Sequence, residues 1–143
     1  MKIKPVIKFY FKETTISMGN RSNFKKRIAN VFLREKKRCT AVNYIFCTDK
    51  FLLSINKEFL GHDDYTDIIT FSMNEPNDPI SGEIYISVER VSENAAKHGT
   101  TIKNELERVV FHGALHLCGY KDKTKSDKTM MTSKENLYLG LGV

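Results

Sequence analysis

Ile, Val and Phe alternate with Lys and Pro over residues 3–12. This period of two predicts a first strand, and Pro5 puts it near a sheet edge. Gly19-Asn20 is a turn signal. Phe24, Ile28, Val31 and Phe32 then recur at helical spacing, which predicts a helix over residues 23–38. Residues 41–48 (AVNYIFCT) are rich in β-formers and read as a central strand. Asp49 can cap a helix that runs to about Phe59, and Gly61 can end it. Residues 67–72 and 82–87 read as two strands joined by the polar loop 74–81, a hairpin. Helices are expected over 88–98, stopped by Gly99, over 101–118, closed by Gly119, and over about 126–139. The order β-α-β-α-β-β-α-α-α predicts an α/β or α+β fold, one domain over residues 1–143, with a small mixed sheet of about four strands packed with helices.

The helix over 101–118 carries the chemistry. At about 100° per residue, Ile102, Leu106, Val109, Val110 and Leu117 form one apolar stripe. Phe111 and Leu115 lie roughly opposite, so the fold should enclose this helix. His112 and His116 sit together at the edge of the stripe, four residues apart, so their rings share a face. Buried polar rings need partners, and one ion would serve both. Gly119 lets the chain turn back, and Asp122, six residues beyond His116, can bring a carboxylate over the rings. Two helical histidines, a glycine and a third ligand leave one position open on a catalytic zinc. Metzincin proteases share the spacing but place Glu directly after the first His, where this chain has Gly113. Cys118 projects about 160° from His116, which suits packing rather than ligation.

The stretch HGALHLCGYKDK resembles the HGxLHLxGYDH signature of the YbeY endoribonucleases. A second block, from Asn56 through Asp63, Thr66 and Asp67 to Ser72, is similar to the family's N-x-x-[YF]-R-x-x-D-x-x-T-D-V-L-S-F. A third, from Gly82 to Ser87, is similar to its G-D-I-x-I-S strand. The resemblance spans about residues 42–139. It implies an α+β domain with one Zn2+ on a central helix, held by His112, His116 and Asp122. It also implies cleavage of single-stranded ribosomal RNA, at the 3′ end of the small-subunit RNA, with roles in ribosome quality control. Three positions depart from the pattern. Asp122 replaces the usual third His, Leu60 replaces an Arg thought to contact phosphate, and Lys121 stands where the signature has Asp. His62, Lys121 or Lys123 could supply the missing positive charge. Thr66-Asp67 reads as a pair that orients a ligand or lines the RNA groove, or as a cap on the next strand. Asn56 is open in the same way, and Phe71 reads as core. Glu83 and Glu135 are candidates for the general base by residue type alone.

Composition adds the setting. The 143 residues include 41% hydrophobic and 28% charged side chains, an ordinary globular balance. A net charge of +6 favours polyanionic partners such as nucleic acid or acidic membrane, and the resemblance implies RNA and the small ribosomal subunit. The clusters 25–27 and 36–38, and Lys121, Lys123, Lys125 and Lys128, either meet phosphate or form solvated faces. Three cysteines without paired spacing indicate reduced thiols and a cytoplasmic protein. No apolar run reaches the roughly 20 residues of a membrane helix, so no membrane partner is expected. A monomer is the expected state. Two other functions fit the same residues: a non-catalytic ribosome assembly factor with a four-ligand structural zinc, and a metal-dependent peptidase or amidohydrolase.

Overall fold

The computed structural model describes residues 4–141. Strand β1 (Val6–Lys12) leads to helix α1 (Arg21–Arg34), β2 (Cys39–Cys47) and α2 (Asp49–Ile55), which continues as one π-helical stretch, Asn56–Leu60. The hairpin β3 (Ile68–Ser72) and β4 (Ile80–Ser87) follows, then α3 (Val88–Lys97), α4 (Ile102–Leu117) and α5 (Lys125–Gly140). The expected order of elements and the α+β class both hold.

The sheet runs in the order β1-β2-β4-β3. β1, β2 and β4 are parallel, with Val6 opposite Ala41 and Asn43 opposite Glu83. β3 returns antiparallel to β4, with Ile68 opposite Ile86. β1 and β3 are therefore the edges and β2 is interior.

Strand parity decides what each sheet face meets. Tyr44, Phe46, Ile84 and Ile86 are fully buried in the main core with residues of α1 and α4. Phe9 packs edge-on to Tyr44 at 5.8 Å, and Phe24 of α1 meets Phe111 of α4 at 6.1 Å. The other face carries a smaller cluster, Cys47 and Ile69 against Leu52 and Ile55 of α2, with Phe71 and Tyr85 alongside.

α4 is the element enclosed by the others. Its residues Leu106, Val110, Phe111, Ala114 and Leu115 have no solvent exposure. The Tyr44 hydroxyl donates to the Val110 carbonyl at 2.9 Å, which satisfies a fully buried phenol and ties α4 to the central strand. At Gly113 the helix backbone lies close against the sheet. A Cβ there would stand 2.9 Å from Ile84 Cδ1, 3.0 Å from Ile84 Cγ2 and 3.1 Å from Ile68 Cδ1.

The structure corrects several boundaries. β1 begins at Val6, and Ile3 lies outside the described residues. Asn20 is the N-cap of α1 rather than a turn residue, its Oδ1 accepting from Asn23 N at 3.0 Å. α1 ends at Arg34 because Lys36 takes a positive φ of 57° and Lys37 N donates to Phe32 O at 2.9 Å. That is a Schellman-type ending without the usual glycine. Thr48, not Asp49, caps α2, accepting from Phe51 N at 3.1 Å. Asp49 instead accepts from Arg90 Nε at 3.0 Å. Ile102 falls off the apolar stripe and is exposed. Arg27 is not on a solvated face: it pairs with Glu107 at 2.8 Å and donates to carbonyls at the end of α5.

The three cysteines are free and buried. Burial pushes the Cys39 thiol up to about 11, and the Cys47 and Cys118 thiols to about 12. None is a thiolate at neutral pH, so all three behave as small apolar residues.

The close approach at Gly113 makes a prediction. Gly113→Ala should lower the unfolding free energy by about 1–2 kcal/mol through overpacking against Ile84 and Ile68. The better helix propensity of Ala returns at most about 1 kcal/mol. Urea denaturation of the two proteins measures the difference, and an unchanged or raised midpoint would refute the tight contact.

Candidate metal centre

The site is built at the C-terminal end of α4. Thr101 caps the other end, accepting from Asn104 N at 3.0 Å. Beyond Leu117 the chain closes with a Schellman motif: Tyr120 N donates to Leu115 O at 3.1 Å and Gly119 N to His116 O at 3.0 Å. Gly119 takes φ +106°, a conformation that side chains avoid. The bend sends the next residues back across the helix end. Thr124 then starts α5 with a capping box completed by Asp127.

This path brings Asp122 over the two rings. Its Oδ2 lies 3.3 Å from His112 Nε2 and its Oδ1 lies 3.8 Å from His116 Nε2. The ring centroids are 5.8 Å apart. One ligand atom from each of the three residues falls within 4.8 Å of the others, so the group could hold a metal ion. Two imidazole nitrogens and one carboxylate oxygen form a donor set suited to zinc.

His112 is held from behind. Its Nδ1 lies 2.7 Å from Glu135 Oε2, and Glu135 is 7% exposed. Glu135 also accepts from Arg108 Nη1 at 2.9 Å. An N–H at Nδ1 donating to this carboxylate leaves the Nε2 lone pair facing Asp122, the tautomer a metal requires. Burial of the His112 ring opposes its charge. The hydrogen bond to Glu135 and the charges of Glu135, Asp122 and Asp67 outweigh burial and raise its pKa. Asp67 is also raised, chiefly by burial, with Asp122 adding and His112 and Arg90 opposing.

The three residues open onto a cleft of about 390 Å³ between α4 and β3. Thr66, Asp67, Ile68 and Thr70 line one wall, and Glu105, Arg108 and Val109 continue the other. The remaining residues singled out from the sequence sit elsewhere. Glu83 is on the opposite sheet face, accepting from the Tyr85 hydroxyl at 3.1 Å. Asn56 is buried in the π-helical stretch, where its Nδ2 donates to Asp64 O at 2.7 Å and pins the loop before β3. Lys121 and Lys123 flank Asp122 but are exposed and do not line the cleft, and neither do His62 and exposed Leu60. Phe71 packs edge-on between Phe59 and Tyr85 on the far side of the sheet.

Two cleft residues escaped sequence reasoning. Arg108 is four residues before His112, on the same helix face, and that spacing was the available signal. Glu105 is one further turn back and is buried, with His98 Nδ1 at 3.4 Å.

Comparisons with known proteins give the family. The family model described as "Endoribonuclease YbeY" matches residues 8–141. The chain belongs to the YbeY endoribonuclease family. Its members are nucleases, hydrolases of phosphodiester bonds. The Endoribonuclease YbeY of Cytophaga hutchinsonii is 46% identical over 134 residues, covering 93% of this chain and 94% of that protein. The YbeY of Flavobacterium johnsoniae is 46% identical over 124 residues, covering 87% and 88%. A solution structure of a Thermotoga maritima protein superposes with a TM-score of 0.65 at 29% identity, covering 94% of this chain and 87% of that one.

Glu135 generates two predictions. Glu135→Ala should weaken zinc binding about 10–100-fold by freeing the His112 ring. Competition with a chromophoric chelator measures this, and an unchanged affinity would contradict the orienting role. The second concerns the metal-free protein. His112 has its folded pKa above its unfolded value of about 6.5. Its stabilisation is therefore complete below about pH 6.5 and is lost as pH rises through the raised value. Asp67, also raised, acts in the same direction but over a lower window, starting near the ordinary carboxylate range. Melting temperatures of the metal-free protein should fall as pH rises above about 6.5. Glu135→Gln should flatten that fall, and equal slopes in both proteins would count against the coupling.

Proposed function

We propose that this protein is a zinc-dependent endoribonuclease. It acts on single-stranded ribosomal RNA in the cytoplasm, as a monomer, during maturation of the 3′ end of small-subunit RNA and in ribosome quality control. The supporting observation is the convergence of His112, His116 and Asp122 at the mouth of a cleft, with Glu135 fixing His112. Family membership supplies the reaction class.

His112, His116 and Asp122 would hold the zinc, and the chemistry it would supply when bound is that of a Lewis acid toward phosphoryl oxygen and water. The chain's own residues do the rest. Glu135 keeps the Nδ1 proton of His112 in place and so holds the ring in one tautomer. It is spent on that bond and on Arg108, which makes it a positioning residue. Asp67 lines the cleft beside Thr66, makes neither of the Glu135 contacts and is not one of the three ligands, so it is the carboxylate assigned to take a proton from an attacking water. The walls of α4 and β3 set the approach of the chain to be cut.

The competing functions fit less well. A glutamate after His112, as peptidases of this spacing use, has no room: the Gly113 position faces Ile84 and Ile68. Among the described residues the ligand group has three members, and Cys118 is packed into the core, which suits a catalytic rather than a four-ligand structural zinc.

The test pairs metal content with cleavage. The purified protein should carry about one zinc per chain. His112→Ala and His116→Ala should each lose it and cut a single-stranded RNA at least about 100-fold more slowly. A chelator should stop the wild-type reaction and added zinc should restore it. Full zinc content in both variants, or cleavage indifferent to chelation, would refute the proposal.

A further inference from the structure

RNA is a polyanion, and the walls of this cleft carry four carboxylates: Asp67, Glu105, Asp122 and Glu135. A bound metal offsets part of that charge at one end. Among the described residues, Arg108 is the one Lys or Arg side chain that lines the cleft. It sits one turn before His112, about 6 Å along α4, in the row Arg108, His112, His116. The lysines near Asp122 stay outside.

The guanidinium is anchored but not used up. Nη1 donates to Glu135 Oε1 at 2.9 Å and Nη2 to Asn136 Oδ1 at 2.8 Å. A guanidinium has five N–H donors, so three remain. The side chain keeps 31% of its exposure and lines the cleft. Its two bonds to α5 fix the planar fork before any ligand arrives, so little side-chain freedom is lost on binding.

We infer that Arg108 is the phosphate-binding residue of the cleft, holding an RNA phosphate next to the one at the metal, one helical turn away. This rests on the RNA-hydrolase reading above. Arg108 thereby links two tasks. The carboxylate that steadies His112 also presents the cation, so substrate binding and ring orientation share Glu135.

The test measures RNA binding apart from cleavage. A short fluorescent single-stranded RNA with 2′-O-methyl sugars is titrated with the zinc-loaded protein at several salt concentrations. Arg108→Ala should weaken binding about tenfold at low salt. It should also reduce the slope of log affinity against log salt by about 0.7, the loss of one phosphate contact on a single strand. Lys121→Ala, outside the cleft, should change the slope less. Arg108→Lys keeps a charge but loses the fork, and should retain most of the slope with reduced affinity. Arg108→Ala also frees Glu135, so its melting temperature and zinc content are checked alongside. Should that variant fail to fold, the Nε–H resonance of Arg108 in the wild-type protein, assigned with Arg108→Lys, should shift on adding RNA. An unchanged salt slope in folded Arg108→Ala, or an unmoved resonance at saturating RNA, overturns the assignment while wild-type cleavage leaves the hydrolase reading intact. A wild-type protein that neither binds nor cuts RNA overturns both.

Discussion

One hydrogen bond organises the cleft: His112 Nδ1 to the buried carboxylate of Glu135. Without it nothing commits the His112 proton to Nδ1, and Nε2 facing Asp122 can carry it instead. With it, one nitrogen is committed and the other faces Asp122. The bond spans α4 and α5, so it exists only because α5 lies along α4. That placement comes from the bend at Gly119 and the capping box at Thr124. The geometry of the ligands is thus a consequence of how two helices are joined.

The sheet contributes by fixing α4. Gly113 admits Ile84 and Ile68 against the helix backbone, and the Tyr44 hydroxyl holds the Val110 carbonyl. These contacts set the distance between α4 and β3, and hence the width of the cleft. The same glycine leaves no room for the side chain that a peptidase would need there. The core packing and the choice of chemistry are decided at one position.

Much of this was readable before the structure. The histidine spacing, Gly119 and Asp122 are local in sequence, and helical geometry carries them directly to a shared ligand set. The hairpin followed from alternation and turn signals, and the mixed sheet from the order of the elements. What could not be read depended on distant pairing. Glu83 and Glu135 were equal candidates by type. Only the register of β4 shows that Glu83 faces away, and only the packing of α5 brings Glu135 to His112 across a sequence separation of 23. Arg108 was hidden because its role depends on the cleft wall it joins. The end of α1 was overshot because Lys36, not glycine, takes the left-handed turn. Thr48 was passed over as a cap because Asp49 beside it is equally suited by type, and its engagement with Arg90 is a tertiary contact.

Zinc-edge X-ray absorption on the loaded protein addresses the centre itself. The account predicts a first shell of two imidazole nitrogens and oxygen donors at about 2.0–2.2 Å, with no sulfur. Replacing Asp122 with Ala should remove one oxygen ligand while both imidazoles remain. A sulfur scatterer at about 2.3 Å, or a shell unaltered by that substitution, would contradict it.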